Sequence, residues 1–259
     1  MPKKSLGQNF LNNASLLSNI VNEGNISKND IILEIGPGTG NLTEKILEKK
    51  PKKFYVVEKD NSLSNFLKNK FGDKIVIIND DILNCYNNFI CDKPIKVFGN
   101  LPYNISTKIL INYLKLENLN KFYEKFIFIF QKEVADRIIA EENTKYFGRL
   151  AIFTSWKLHK KKIFDIAPEN FNPIPKIWSS LIALKPKDEI FKINRADNLE
   201  YITNTFFSQR RKMINKPFKK IFQNQSSICE KIGLNLKDRP QNISVQKYLE
   251  ITKIYEELT

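Results

Sequence analysis

Asn100-Leu101-Pro102-Tyr103 is the segment of this 259-residue chain whose residue types suggest a reaction. It follows an apolar run, Ile95 to Gly99, and precedes Ser106, which can cap a helix reaching about Leu116. An adenine amine is a poor nucleophile because its lone pair is conjugated with the ring. Two acceptors aimed at its protons favour a pyramidal nitrogen and free the lone pair for in-line attack on a sulfonium methyl. Asn100 can supply a side-chain oxygen and Leu101 a main-chain carbonyl, with Pro102 fixing the turn that aims it. Tyr103 offers a ring on which a splayed-out base can stack. No His or carboxylate base is needed, since the methylated amine, once charged, loses its proton to water. The one histidine, His159, is therefore expected at the surface or in packing. Alone, the tetrapeptide would be no more than a Pro-containing turn.

A second constellation changes that reading. Ile32-Leu-Glu-Ile-Gly36-Pro-Gly38-Thr-Gly40 is a glycine turn between an apolar run and a helical pattern. Gly36 and Gly38 remove side chains where a nucleotide-like ligand must approach the backbone, and the helix after Gly40 begins close to that ligand. Glu58, at the end of the next apolar run, can accept both hydroxyls of a ribose. Asp80 and Asp81 close the third run at the same edge; one can accept from an adenine amine while the other caps a turn. These residues by themselves also suit a dinucleotide dehydrogenase. The Asn100 loop at the end of the fourth run separates the two readings.

The elements that must position these residues alternate. Strands are expected over Ile31–Ile35, Lys53–Glu58, Lys74–Asn79, Ile95–Gly99, Phe126–Phe130, Lys162–Ile166 and Ile177–Leu184. Helical patterns cover Asn41–Lys50, Ser62–Lys70, Ser106–Leu116 and Glu133–Ala140, after a basic N-terminal arm and an amphipathic stretch over Asn12–Glu23. Continuous apolar strands separated by helices imply a mostly parallel sheet covered on both faces, an α/β fold. Past Lys185-Pro186-Lys187 the pattern turns helical over Asn198–Ser208, Ile214–Asn224, Ser226–Ile232 and Val245–Leu258. Two domains are expected, residues 1–187 and a small all-helical 188–259.

Net charge is +14, from 42 basic and 28 acidic residues, which suits a polyanionic partner. Only six of the basic residues are Arg, and the Lys, Asn, Ile and Phe content is that of an AT-rich genome, so position matters more than the sum. Arg210, Arg211, Lys212 and Lys216, with Lys219 and Lys220, fall where no acid intervenes between Thr205 and Gln225. Helical spacing would put several of them on one face, with Phe207, Met213, Phe218 and Phe222 facing inward. Paired arginines favour phosphate contact through bidentate geometry. Cys85, Cys91 and Cys229 match no zinc spacing and suit a reducing cytoplasm. No metal site, no membrane span and no secretory signal are expected.

With these motifs in order, the chain resembles the ribosomal RNA adenine dimethyltransferase family, specifically the bacterial small-subunit type. The likeness spans nearly the whole chain: Gly7-Gln-Asn9-Phe-Leu11, Glu34-Ile-Gly36-Pro-Gly38-Thr-Gly40, Glu58, Asp81, Asn100-Leu-Pro-Tyr-Asn-Ile-Ser106, Gln131 to Arg137, Phe171-Asn-Pro-Ile-Pro-Lys176 and Phe207 to Lys212. It implies a Rossmann-like class I methyltransferase sheet of seven strands with a helical RNA-binding C-terminal domain. It implies S-adenosylmethionine contacts from Asn9, Leu11, Gly36, Gly38, Glu58, Asp81 and Asn100. By position Phe171 resembles the aromatic facing the target base opposite Tyr103. The implied reaction places two methyls on each of two adjacent adenosines near the 3′ end of small-subunit (16S) rRNA, in an immature 30S particle, with a role in ribosome biogenesis. A cytoplasmic monomer is expected. Trp178 departs from the pattern, standing where a smaller or polar residue is usual.

Three other readings share part of this ground. A large-subunit rRNA dimethyltransferase of the macrolide-resistance type uses the same chemistry; Gly7 and Leu101 favour the small-subunit type. A DNA adenine methyltransferase would carry a target-recognition insertion, and none is evident. A non-catalytic assembly or transcription factor on the same fold has no need of intact Gly36, Glu58, Asp81 and Asn100.

Overall fold

The computed structural model describes residues 9–89, 91–223 and 226–259. Gly7 and Gln8 of the N-terminal motif, and Asn224 at the expected end of one helix, lie outside the described residues. The chain forms two compact units. The first holds the residues up to Ala135 and His159–Pro186; the second holds Asp136–Leu158 and Lys187–Thr259.

In chain order the first unit contains β1 (Phe10–Leu11), α1 (Ala14–Glu23), β2 (Ile31–Ile35), α2 (Asn41–Leu47), β3 (Lys53–Val57), α3 (Asn61–Phe71), β4 (Val76–Ile78), α4 (Ile82–Cys85), β5 (Ile95–Asn100), α5 (Ser106–Lys115), α6 (Leu119–Phe122) and β6 (Tyr123–Gln131). The chain leaves through α7 (Lys132–Ile139) and returns as β7 (Leu158–Ile166), β8 (Phe171–Asn172) and β9 (Ser179–Pro186). Seven strands form one sheet in the order β4-β3-β2-β5-β6-β9-β7. β2 runs parallel to β3 and β5, β3 to β4 and β5 to β6, while β9 is antiparallel to β6.

All five residues of β2 and the first five of β5 are buried. This is why these strands read as apolar runs interrupted only by Glu34 and Lys96: a parallel sheet covered by helices has no wet face to demand alternation. Along β6 the rings of Tyr123, Phe126, Phe128 and Phe130 succeed one another at centroid spacings of 5.4, 5.5 and 6.0 Å. Each such pair adds about 0.5–1.5 kcal/mol beyond the area it buries. The chain moves outward from β2 to β4, then crosses back to lay β5 on the other side of β2. The segments leaving β2 and β5 therefore diverge and leave a crevice at the carboxyl ends of the strands.

The N-terminal arm is structured where it is described. β1 pairs antiparallel with β8, Leu11 opposite Phe171, and the Asn12 amide donates 3.1 Å to the Asn170 carbonyl. Two-residue strands carry no periodic signal, so the sequence showed only a basic arm here. Ser106 is not the α5 cap. Ile105 occupies that position, and the Ser106 hydroxyl instead turns back to the Tyr103 carbonyl at 3.3 Å.

The second unit contains α8 (Arg149–Lys157), α9 (Ala196–Phe207), α10 (Asn215–Phe222), α11 (Ser226–Ile232) and α12 (Val245–Leu258). The sequence reading had assigned 136–158 to the first domain. The segment belongs with the helices because α8 packs against both α9 and α12. Its Ala151, Ile152, Phe153, Thr154 and Trp156 are all buried, and a helix buried all round shows no polar stripe by which to recognise it. Tyr248 of α12 sits edge-on to Phe206 at 5.7 Å and closes its hydroxyl on the Pro240 carbonyl at 2.8 Å.

Gly24 ends α1 where the helix meets the sheet. A Cβ at this position would lie 2.2 Å from Cζ of the fully buried Phe98 ring on β5. Gly24→Ala must push that ring into a filled core, so a loss of about 1–3 kcal/mol is expected, read as a lower urea midpoint with an unchanged slope.

Candidate active site

The glycine turn between β2 and α2 is built from left-handed residues. Gly36 has φ 66° and Gly38 φ 58°, conformations that favour glycine. Nothing lies within 4 Å of a Cβ built on Gly36, whereas one on Gly38 would meet the Phe10 ring at 2.5 Å. Gly36 thus leaves open space above the turn, and Gly38 admits the aromatic of the N-terminal strand. The turn is held by the Gly36 amide on the Val57 carbonyl and the Gly40 amide on the Pro37 carbonyl, each at 2.9 Å. Gly36, Gly38, Glu58, Asp81, Asn100 to Ile105 and Asn9 to Leu11 together line one cleft with a cavity volume of about 200 Å³.

Glu58 stands at the end of β3 and is buried. Its two oxygens accept from the Asp60 amide at 2.9 Å and the Gly38 amide at 3.2 Å, so the carboxylate also braces the glycine turn. Burial raises its pKa against the pull of these amides. Asp81 caps α4 through the Leu83 amide at 2.9 Å, and its second oxygen pairs with Lys59 at 2.9 Å. Burial pushes its carboxyl up, yet the Leu83 amide and Lys59 ammonium hold it below the usual value. Asp80 accepts from the Asp81 amide and from Asn84, closing the adjoining turn.

The loop after β5 faces the same cleft. Asn100 donates through Nδ2 to the Asn9 carbonyl at 2.6 Å, which leaves Oδ1 as the atom able to accept. Among the described residues no donor reaches the Leu101 carbonyl. The Pro102 carbonyl is occupied, receiving the Ile105 amide at 3.1 Å and the Ser106 amide at 2.9 Å. The Tyr103 hydroxyl shares a 2.6 Å hydrogen bond with Ser179 Oγ at the start of β9, fixing the ring from its far end. Asn41 Nδ2 donates 2.6 Å to the Leu11 carbonyl, tying the N-terminal strand to α2.

Phe171 is a correction. It is 2% exposed and belongs to the packed core rather than to the cleft wall. It pairs beside Leu11 of the N-terminal strand and is not among the residues that line the cleft with Tyr103. His159 is exposed, and the three cysteines are free thiols. No group of His, Cys, Asp and Glu able to hold a metal occurs among the described residues.

In the helical unit Arg210, Arg211, Lys212 and Lys216 are all exposed. Only Lys216 lies on a helix; the other three occupy the turn between α9 and α10, where Arg210 bonds the Lys145 carbonyl. Phe218 and Phe222 face inward, but Met213 is 56% exposed, because the helical spacing assumed for it stops at Phe207.

The sequence reading did not single out Glu34, Phe10, Asn41 or Lys59, all of which line the cleft. Glu34 could have been found, since an acid inside the run IILEI must be buried. Its carboxyl, fully enclosed in β2, accepts from the Thr43 hydroxyl at 2.7 Å. Burial raises its pKa to about 8, Thr43 opposing and the Glu58 charge assisting, so Glu34 carries its proton at neutral pH.

Residues 2–257 match the family profile described as ribosomal RNA adenine dimethylase. The chain is 52% identical over 256 residues to the ribosomal RNA small subunit methyltransferase A of Pelagibacter ubique, covering 99% of this chain and 97% of the relative. It is 40% identical to the protein of the same description from Ehrlichia chaffeensis, covering 97% of this chain and 95% of that one. Among solved structures, a dimethyladenosine transferase from Plasmodium falciparum superimposes with a TM-score of 0.79 at 23% identity, covering 96% and 98% of the two chains. The 23S rRNA methyltransferase ErmE gives 0.69 at 19% identity, covering 95% and 99%. The last two establish a shared class I methyltransferase fold.

Glu34 generates a pH prediction. Between about pH 4.5 and 8 the unfolded chain has released the Glu34 proton while the folded chain retains it, so this residue's contribution to stability falls as pH rises. Glu34→Gln keeps the acceptor for Thr43 and abolishes the titration. Its unfolding free energy from urea titration should gain on the unmodified chain from pH 5.5 to pH 8, by up to roughly 1 kcal/mol per pH unit; a constant gap would show that Glu34 titrates normally.

Proposed function

This chain belongs to the ribosomal RNA adenine dimethylase family, and on that premise we propose that its cleft binds S-adenosylmethionine and dimethylates the exocyclic amines of two adjacent adenosines near the 3′ end of small-subunit rRNA. The names of the relatives at 52% and 40% identity favour the small-subunit RNA over the large-subunit RNA as substrate. The observation that carries the chemistry is the orientation of Asn100. With Nδ2 committed to the Asn9 carbonyl, Oδ1 and the Leu101 carbonyl form a pair of acceptors in the cleft that also contains the glycine turn.

The cleft suits the cofactor. Open space above Gly36 admits a nucleoside against the backbone, Glu58 lies where a ribose can bond it, and Asp81 stands at the next strand end for the adenine. Asn9 and Leu11 close the cleft from the N-terminal strand. S-adenosylmethionine supplies an electrophilic methyl on a sulfonium centre. The protein's part is to hold the nucleophile. Asn100 Oδ1 and the Leu101 carbonyl take the two amine protons as hydrogen bonds and direct the nitrogen lone pair outward. Pro102 stiffens the turn between these acceptors and Tyr103, whose anchored ring receives the extruded base in a stack. The proton shed after transfer passes to water, so no side chain need titrate and no metal is required.

The first unit is accordingly the catalytic one. The helical unit meets RNA phosphate through Arg210, Arg211, Lys212 and Lys216, whose exposure and lack of intervening acids suit a polyanion. The partner is small-subunit rRNA in an immature 30S particle, met by a monomer in the cytoplasm as part of ribosome biogenesis. No helix among the described residues is long and apolar enough to cross a membrane.

Asn100→Ala should lower methyl transfer to unmodified small subunits on the order of a hundredfold or more, read as dimethyladenosine by mass spectrometry, with only a modest loss of cofactor affinity by calorimetry. Transfer near the unmodified rate would remove the acceptor pair from the mechanism. Arg210→Glu with Arg211→Glu should weaken RNA binding and flatten the plot of log affinity against log salt by roughly two phosphate contacts; an unaltered salt slope would place the RNA elsewhere.

A further inference from the structure

The segment joining β8 to β9 is exposed and apolar in a strongly basic protein. Ile174 is 67% exposed and Trp178 49%, with Ile177 exposed between them. No acid occurs between Glu169 and Asp188, whereas Lys176 lies inside the exposed stretch. Pro173 and Pro175 restrict its backbone, so little freedom remains to be lost when a ligand settles on it.

Trp178 is held in place on several sides. Its carbonyl accepts from the Lys132 amide at 2.9 Å, and the Lys132 ammonium lies over the indole, 5.8 Å from the ring centroid. That ammonium is itself pinned by Asp165, which also bonds Lys162 at 2.6 Å and Ser180 at 2.7 Å. The residue after Trp178 is Ser179, whose hydroxyl holds Tyr103. An exposed, cation-bearing indole thus sits one residue from the anchor of the loop that receives the target base.

We propose that Trp178 is a stacking platform for an unpaired RNA base flanking the target adenosines, with Lys176 supplying charge toward its phosphates. This rests on the RNA-directed reading given above. Single-stranded RNA fits better than a protein or lipid surface for two reasons. Every base offers a face to an aromatic ring, and the cations set beside the ring would be costly to desolvate against an apolar partner. The site is distinct from the acceptor pair: it grips the strand and leaves the reacting amine to Asn100 and Leu101. It also gives a purpose to the residue by which this chain departs from the usual family pattern.

The two tryptophans allow a direct test, because Trp156 is only 5% exposed and Trp178 supplies the accessible fluorescence. A short single-stranded oligoribonucleotide containing two adjacent adenosines should quench the emission saturably without cofactor, and the same sequence in a duplex should not. The quench should vanish in Trp178→Phe. Trp178→Ala should raise the KM for small subunits roughly tenfold with kcat within about twofold, and Trp178→Phe should recover most of the loss. Cofactor affinity, measured alongside, should not change. Absence of quenching, equal quenching by duplex, an unchanged KM, or a fall in kcat alone would each overturn the platform; the last would mean that Trp178 acts only by positioning Ser179 and Tyr103. Quenching by single-stranded RNA in a protein that transfers no methyl groups would support the platform and overturn the proposed reaction instead.

Discussion

The hydrogen bond from Asn100 to the Asn9 carbonyl is the interaction on which the site depends. A side-chain amide can present its oxygen or its nitrogen, and only a committed NH₂ decides which faces the ligand. Here the commitment is made to a backbone atom far away in sequence, so the chemical identity of the loop after β5 is set by a strand near the N-terminus. That strand is secured in turn by β8, by Asn41 on the Leu11 carbonyl and by Phe10 seated on Gly38. The glycine turn, the N-terminal strand and the loop after β5 are therefore one connected assembly. Its members come from widely separated parts of the chain.

The acids beneath the cleft divide their tasks by environment. Asp81, partly exposed and paired with Lys59, stays ionised. Glu34, sealed in β2 with one hydroxyl for company, stays neutral. Glu58 lies between these extremes, buried but given two backbone amides. Protonated Glu34 keeps a second negative charge from being buried close to Glu58. A sheet edge crowded with carboxyls is tolerable on this arrangement because only some of them are charged.

The central strands were legible because the parallel part of the sheet, covered on both sides, writes them as apolar runs, and the glycine turn, Glu58 and the Asn100 loop sit at the ends of such runs. The reading failed where that logic does not apply. β1 and β8 are too short to show a period, so the strand that orients Asn100 looked like an unstructured arm. α8 is buried along most of its length and shows no polar stripe, so the expected boundary between domains lies away from the observed one. Phe171 was placed by likeness alone, and the structure holds it in the packed core. Helical spacing was expected to put several of the basic residues on one face, but Arg210, Arg211 and Lys212 lie in the turn between α9 and α10. Thus strands and their terminal residues follow from local sequence, whereas the state of an amide or the facing of a ring depends on contacts between distant segments.

The two rims of the sheet bear on the behaviour of the protein in a crowded solution. A border strand offers unpaired amides and carbonyls to any passing chain, and an open-ended sheet invites growth by accretion. β4 contains only three residues, too few to template a partner. β7, at the opposite border, is long enough, but its sequence LHKKKIFDI places three consecutive lysines along it. Docking a second copy there would bring two rows of ammonium groups together and strip them of water. Lysines that look like a mere share of the basic total thus raise the cost of extending the sheet past this border.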